Sequence, residues 1–260
     1  MFKNFRKIKG TNNLYRSNEF DNINENKLND LKEKLNIYKD KLFIIDLREN
    51  KVEKDFSVTK KEMNYQFYNL LSDELYRVYY KNSLLNDKIY ALFDIYILQN
   101  PKKESLSYTL NNRGPAEMYM DFLEGSKKEI KEIFMKMLEL GYEYKIIINC
   151  KYGKDRTGLI SMLIMLLCDV DKEVIIEEYS KSFLLLVEDD FSKKIDELVK
   201  DFEKGRLDKK FIYSFETYMI RLLDLFEKKY IDIKNYLKLI GIDDQQQQRF
   251  KNFFKNKFYL

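Results

Sequence analysis

The chain has 260 residues, 45% of them apolar and 35% charged, and 47 basic against 43 acidic residues leave a net charge of +4. That balance suits a globular protein with a sizeable core and provides no general electrostatic basis for binding nucleic acid or a membrane surface. Histidine is absent, which excludes histidine acid–base chemistry and Ser-His-Asp triads, and two cysteines, Cys150 and Cys168, are too few for a disulfide framework or a structural zinc site.

Residues 1–6 lack the apolar stretch of a signal peptide, so a reducing, cytoplasmic location is expected, with secretion by a route without a cleaved signal left open. Residues 1–20 read as mostly irregular, with Leu14–Ser17 as a short edge strand. From Ile23 to Tyr38, apolar residues at Ile23, Leu28, Leu31, Leu35 and Tyr38 have helical spacing, and Leu42–Asp46 follows as a short buried strand. A second strand is expected over 65–71 and a helix over 84–98. Both prolines, Asn111-Asn112 and Gly114 fall within 100–115, which reads as a loop. Helices are expected over 116–124 and 126–140, with Gly141 suited to the end of the second. Lys145–Asn149 reads as a strand, 157–168 as a strongly apolar helix too short to span a bilayer, and everything beyond 171 as helical. Strands alternating with helices imply an α/β fold with a short central parallel sheet and a helical C-terminal part.

The chemistry is concentrated between that last strand and the apolar helix. Cys150 ends the strand, Arg156 comes six residues later, and Thr157 opens the helix. Ligands of parallel sheets bind beyond the carboxyl ends of the strands, and a loop entering a helix there offers converging N–H groups and the positive end of the dipole. Such a cradle favours an ionised Cys150, which could then attack phosphorus. Arg156 supplies a planar fork for two phosphoryl oxygens. Gly153 permits close backbone approach, and the Thr157 hydroxyl can donate to the sulfur. Lys151, Tyr152, Lys154 and Gly158 complete the expected phosphate-binding loop.

Cys150-Lys151-Tyr152-Gly153-Lys154-Asp155-Arg156-Thr157-Gly158 resembles the active-site loop of the protein tyrosine phosphatase superfamily, and most of all its bacterial branch of atypical tyrosine and phosphoinositide phosphatases. Asn4-Phe5-Arg6, Leu14-Tyr15-Arg16-Ser17, Asp46-Leu47-Arg48, 179–182 and 236–241 are similar to further motifs of that branch, so the likeness runs almost end to end. It implies a single phosphatase domain over 1–260, a helical lid or insertion at about 72–125, a phosphocysteine intermediate, and no cofactor or metal. The implied substrate is a phosphorylated protein, with phosphotyrosine ahead of a phosphoinositide or of dual specificity. The oligomeric state stays open. Asn149 stands where the superfamily usually has histidine, and Tyr152 where it usually has alanine.

Protonating the leaving oxygen calls for a carboxylic acid. Asp155 is within reach by position and Asp73 aligns loosely with a family acid; otherwise Asp155 braces the loop and Asp73 caps a helix. Asp46 and Arg48 read as an architectural ion pair. The spacing of Lys151 and Lys154 resembles lipid-directed superfamily members, and two cations would favour a polyanionic substrate. A catalytically weak phosphate-binding module is the alternative of another class. A rhodanese-like sulfur transferase is disfavoured by Arg156-Thr157 and the apolar helix.

Overall fold

The computed structural model describes residues 2–21, 23–37, 41–49, 64–86, 88, 103–188, 191–204 and 206–256. At its centre is a five-stranded, mostly parallel sheet built from β1 (Arg6–Lys7), β2 (Leu14–Ser17), β3 (Leu42–Asp46), β4 (Asn64–Phe67) and β5 (Lys145–Asn149), in the order β1-β2-β5-β3-β4. Only β1 runs antiparallel to its neighbour.

The period-two alternation of side chains decides which residues face which layer. Leu42, Ile44 and Ile147 pack with Leu28 and Leu31 of helix α1 (Glu25–Lys34) and its capping residue Leu35 on one face. Phe43, Ile45, Ile146 and Ile148 face the larger core, made with the remaining helices. Each fully buried isoleucine contributes roughly 1.5–3 kcal/mol, which is why the apolar runs of β3 and β5 take the inner positions of the sheet.

The helices of the larger layer are α2 (Asp73–Asn82), α3 (Lys103–Arg113), α4 (Pro115–Gly125), α5 (Lys127–Leu140), α6 (Asp155–Leu167) and α7 (Lys172–Val187). They are followed by α8 (Phe191–Lys204), α9 (Glu216–Tyr230), α10 (Ile233–Leu239) and α11 (Asp244–Phe254). Local chemistry sets several of the boundaries. Asn24 and Ser72 cap α1 and α2 by accepting from Lys27 N and Leu75 N, and Asp243 with Gln246 forms a capping box at α11.

The structure corrects three expectations, one being that the chain beyond 171 is helical throughout: residues 206–215 hold only the short turn Lys209–Phe211. Leu14–Ser17 is not an edge strand, because Arg6–Lys7 pairs outside it and β5 inside. Most of the expected loop at 100–115 is helix α3, with residues 100–102 outside the described part. Pro115 occupies the first turn of α4, where a missing N–H costs nothing, and Gly114 (φ 108°) makes the junction, so this proline delimits two helices and breaks neither. The helix expected over 84–98 falls almost wholly outside the described residues.

The registers bring the carboxyl ends of three strands level. Ser17 and Asp46 each pair with Asn149, and all three are buried. The chain leaves this line at Cys150. Among the described residues, no helix is long and apolar enough to cross a membrane.

Candidate active site

Residues 150–154 run from the end of β5 to the start of α6, and their path is held from outside. Gly153 has φ 64°, and a Cβ there would lie 2.2 Å from the carbonyl oxygen of Ser17, so only glycine fits. Asn4 Nδ2 donates to the carbonyls of Tyr152 (3.0 Å) and Gly153 (2.8 Å), and Arg16 Nη2 donates to that of Gly153 at 2.6 Å. With these carbonyls drawn outward, planar peptides turn neighbouring N–H groups toward the inside of the loop.

The Arg16 guanidinium that does this is wholly buried. Its Nη2 also donates to Ser182 Oγ (3.1 Å), and Nη1 lies 3.5 Å from Glu178 Oε1. Glu178 is shared with Arg6, whose Nε donates to the same oxygen at 2.6 Å. Burial and the nearby Arg16 charge push Arg6 down to about 9, against the pull of Glu178. One buried carboxylate thus holds one fully buried and one partly buried cation, and removing it would leave the Arg16 charge uncompensated in the interior. Gly158 sits close beside this network: a Cβ there would lie 3.2 Å from the Tyr179 ring, tighter than an ordinary contact.

Cys150 and Arg156 open onto one cavity of about 240 Å³, together with Lys151, Tyr152 and Asp155. The opposite wall comes from Asp201 and Phe202 of α8 and from Leu207. Arg156 is aimed by a strand end: its Nη1 donates to Leu47 O at 3.1 Å, while Leu47 N donates to Asn149 O at 2.8 Å. The neighbouring Asp46 and Arg48 form the expected internal ion pair (2.8 Å), and Arg48 extends it to Glu19 and Asp21. Thr157 Oγ1 and the Asn149 side-chain amide are buried with no hydrogen-bond partner among the described residues.

Asp155, the first residue of α6, is fixed by a tyrosine chain. Tyr119 of α4 donates to Asp155 Oδ1 (2.7 Å), and the Tyr179 hydroxyl lies 2.8 Å from that of Tyr119. Burial, reinforced by the Asp155 charge, pushes Tyr119 well above the usual tyrosine value, so its proton stays in place. Asp73 is elsewhere. It is exposed in the first turn of α2, after the capping residue Ser72, and does not line the cavity.

The two loop lysines differ. Lys151 is exposed and pairs with Asp201 (2.5 Å) at the cavity rim. Lys154 is 1% exposed, and its ammonium donates to the carbonyls of Phe211, Ile212 (3.0 Å) and Tyr213 (3.2 Å), with Asp155 Oδ1 at 3.4 Å. The side chain expected to bind phosphate is therefore committed to the protein interior. Tyr152 does not plug the cavity; its ring stacks on Phe202 (centroids 5.9 Å, 20°) and its hydroxyl donates to Asp201. Cys168 is buried in the core, and burial pushes its thiol up to about 12.

Sequence reading missed Tyr119, Asp201, Phe202 and Leu207. Helical spacing marks 191–204 as a helix, but nothing local indicates that it faces a loop some 50 residues earlier.

The fold and the site define an α/β protein with a cavity, lined by Cys150 and Arg156, where a parallel strand runs into a buried helix. The family model of the tyrosine phosphatase family matches residues 3–255, and the chain belongs to that family, a membership that supports phosphatase function. Comparison with curated proteins finds no match.

Proposed function

We propose that this protein is a cysteine-dependent phosphatase of the bacterial atypical branch, one domain throughout, that hydrolyses phosphotyrosine through a phosphocysteine intermediate. The observation that carries the reading is that Cys150 and Arg156 face one cavity at the carboxyl end of the sheet, on a loop whose carbonyls are drawn outward by Asn4 and Arg16.

The Cys150 thiolate attacks phosphorus while Arg156 holds two equatorial oxygens, a contact that strengthens as charge develops. The phosphorus–oxygen bond to the ester breaks, and the leaving oxygen takes its proton from Asp155. A water then attacks the phosphocysteine, Asp155 takes back a proton, and the sulfur leaves as thiolate. Thr157, with a hydroxyl that has no partner among the described residues, donates to the sulfur in both steps. Asp155 is preferred over Asp73 because it lines the cavity and Tyr119 fixes one of its oxygens.

Phosphotyrosine is preferred over a phosphoinositide on two grounds. Tyr152 and Phe202 present aromatic surface along the cavity wall, suited to a phenyl ring. Of the two lysines that favoured a polyanion, Lys154 is occupied by three carbonyls.

The test is Cys150→Ser. It should abolish release of phosphate from a phosphotyrosine peptide while the protein still binds inorganic phosphate, because the cradle does not depend on sulfur. Trapping with labelled substrate should show phosphate on Cys150 in the unsubstituted chain. Substantial residual turnover by Cys150→Ser would sink the assignment.

A further inference from the structure

Resting on that reading, we propose that Asp201 is a specificity-determining residue that makes the cavity select singly phosphorylated substrates over polyanionic ones.

Asp201 comes from α8, outside the loop, and its Oδ2 accepts from both Lys151 Nζ and the Tyr152 hydroxyl. It reaches the same cavity as Cys150 and Arg156, so its charge stands beside any ligand held in the cradle. Burial works against its ionisation, but the hydrogen bonds from Lys151 and Tyr152 outweigh burial and keep its carboxyl below the usual range. It is an anion at neutral pH.

The charge around the mouth follows. Lys154 faces inward, and Lys151 is the remaining loop lysine at the rim. Asp201 neutralises it. A substrate with one phosphate places its charge in the cradle, where Arg156 and the helix terminus meet it. A ring bearing further phosphates must place at least one near the rim, beside Asp201 and a lysine already paired. Repulsion between like charges a few ångströms apart at a partly exposed site amounts to roughly a tenfold change in affinity and is screened by salt. The Tyr152–Phe202 stack lies against the same carboxylate, so an uncharged aromatic ring meets no such opposition.

The test compares the unsubstituted protein with Asp201→Asn, which keeps the size of the side chain and can still accept from Tyr152. Calorimetry would measure binding of inorganic phosphate and of inositol trisphosphate to each, at about 50 mM and about 300 mM salt, a range over which the screening length shortens markedly. Removing the carboxylate should tighten inositol trisphosphate roughly tenfold at low salt and much less at high salt. Inorganic phosphate should change less than about twofold, being bound by the cradle. Adding Lys151→Ala to Asp201→Asn should cancel most of the gain, which a merely structural role for Asp201 would not produce. If the two ligands weaken together, or their ratio stays within about twofold at low salt, the inference is overturned. Binding is read without turnover, so it stands apart from the phosphatase reading. Turnover of a phosphotyrosine peptide in the same samples tests that reading separately.

Discussion

Lys151 and Lys154 lie three residues apart in one loop, and they do opposite work. Lys151 stands at the rim, about half exposed, and holds Asp201 by an ion pair that water and salt can exchange. Lys154 is threaded inward and closes off three carbonyls of the segment 211–213, under the Phe202 ring. Beneath the loop is thus a buried polar assembly closed off from water, and the rim is a solvated one whose members can exchange partners with it. Residue type does not separate the two regions; the dielectric around each ammonium does, since an unpaired polar group costs far more in the interior than at the surface.

The sharpest way to break this comparison is to delete both ammonium groups in turn. Lys154→Met should destabilise the fold by about 2–4 kcal/mol, because two buried carbonyls and a partly buried one lose their donor. Lys151→Met should change stability by less than about 1 kcal/mol. Urea unfolding followed by circular dichroism measures both. Equal effects would mean that the buried assembly and the rim are not energetically distinct.

A second contrast lies between the two candidate acids. Asp155→Asn should slow hydrolysis of a phosphotyrosine peptide about 100-fold and that of a nitrophenyl ester far less, because a general acid matters most for a poor leaving group. Asp73→Asn, exposed on α2, should slow neither by more than about twofold. Equal slowing of both substrates by Asp155→Asn would assign Asp155 to loop geometry. A leaving-group contrast confined to Asp73→Asn would reverse the assignment.

Tyr119→Phe removes the bond to Asp155 while keeping the ring buried. It should reproduce the leaving-group contrast at about a tenth of the strength, roughly tenfold on the peptide. Unchanged kinetics on both substrates would show that Asp155 needs no support from α4.

The smallest effect belongs to the rim. The depressed carboxyl of Asp201 contributes docking of α8 that is present above the unfolded aspartate value of about 3.9 and lost as pH falls through the lower folded value. The thermal midpoint should therefore fall less between pH 5 and pH 3 in Asp201→Asn than in the unsubstituted chain. Parallel curves would show that the pair contributes nothing to docking, as many exposed pairs do not.

Much of the site is legible in the order of the amino acids. Lys145–Asn149 is apolar and β-branched, the following helix is apolar throughout, and Cys150 and Arg156 bracket a glycine with positive φ. The motifs Asn4-Phe5-Arg6, Leu14–Ser17 and 179–182 are visible there only as a resemblance; in the fold Asn4 and Arg16 hold the loop carbonyls, and Ser182, with Glu178 beside that motif, holds Arg16. The reading of 100–115 as a loop fails because proline and glycine can end one helix and begin another as well as interrupt one.

Sequence alone determined what depends on neighbours along the chain: the strand running into a helix, the glycine at the tight turn, the cysteine and arginine six apart. Those follow from steric and hydrogen-bonding rules that act over a few residues. Tertiary structure decided where Lys154 points, which helix supplies Asp201 and Phe202, and that Tyr119 of α4 donates to Asp155. These contacts join residues tens of positions apart, and their energy comes from burial and from satisfying polar groups away from water, which no local pattern encodes.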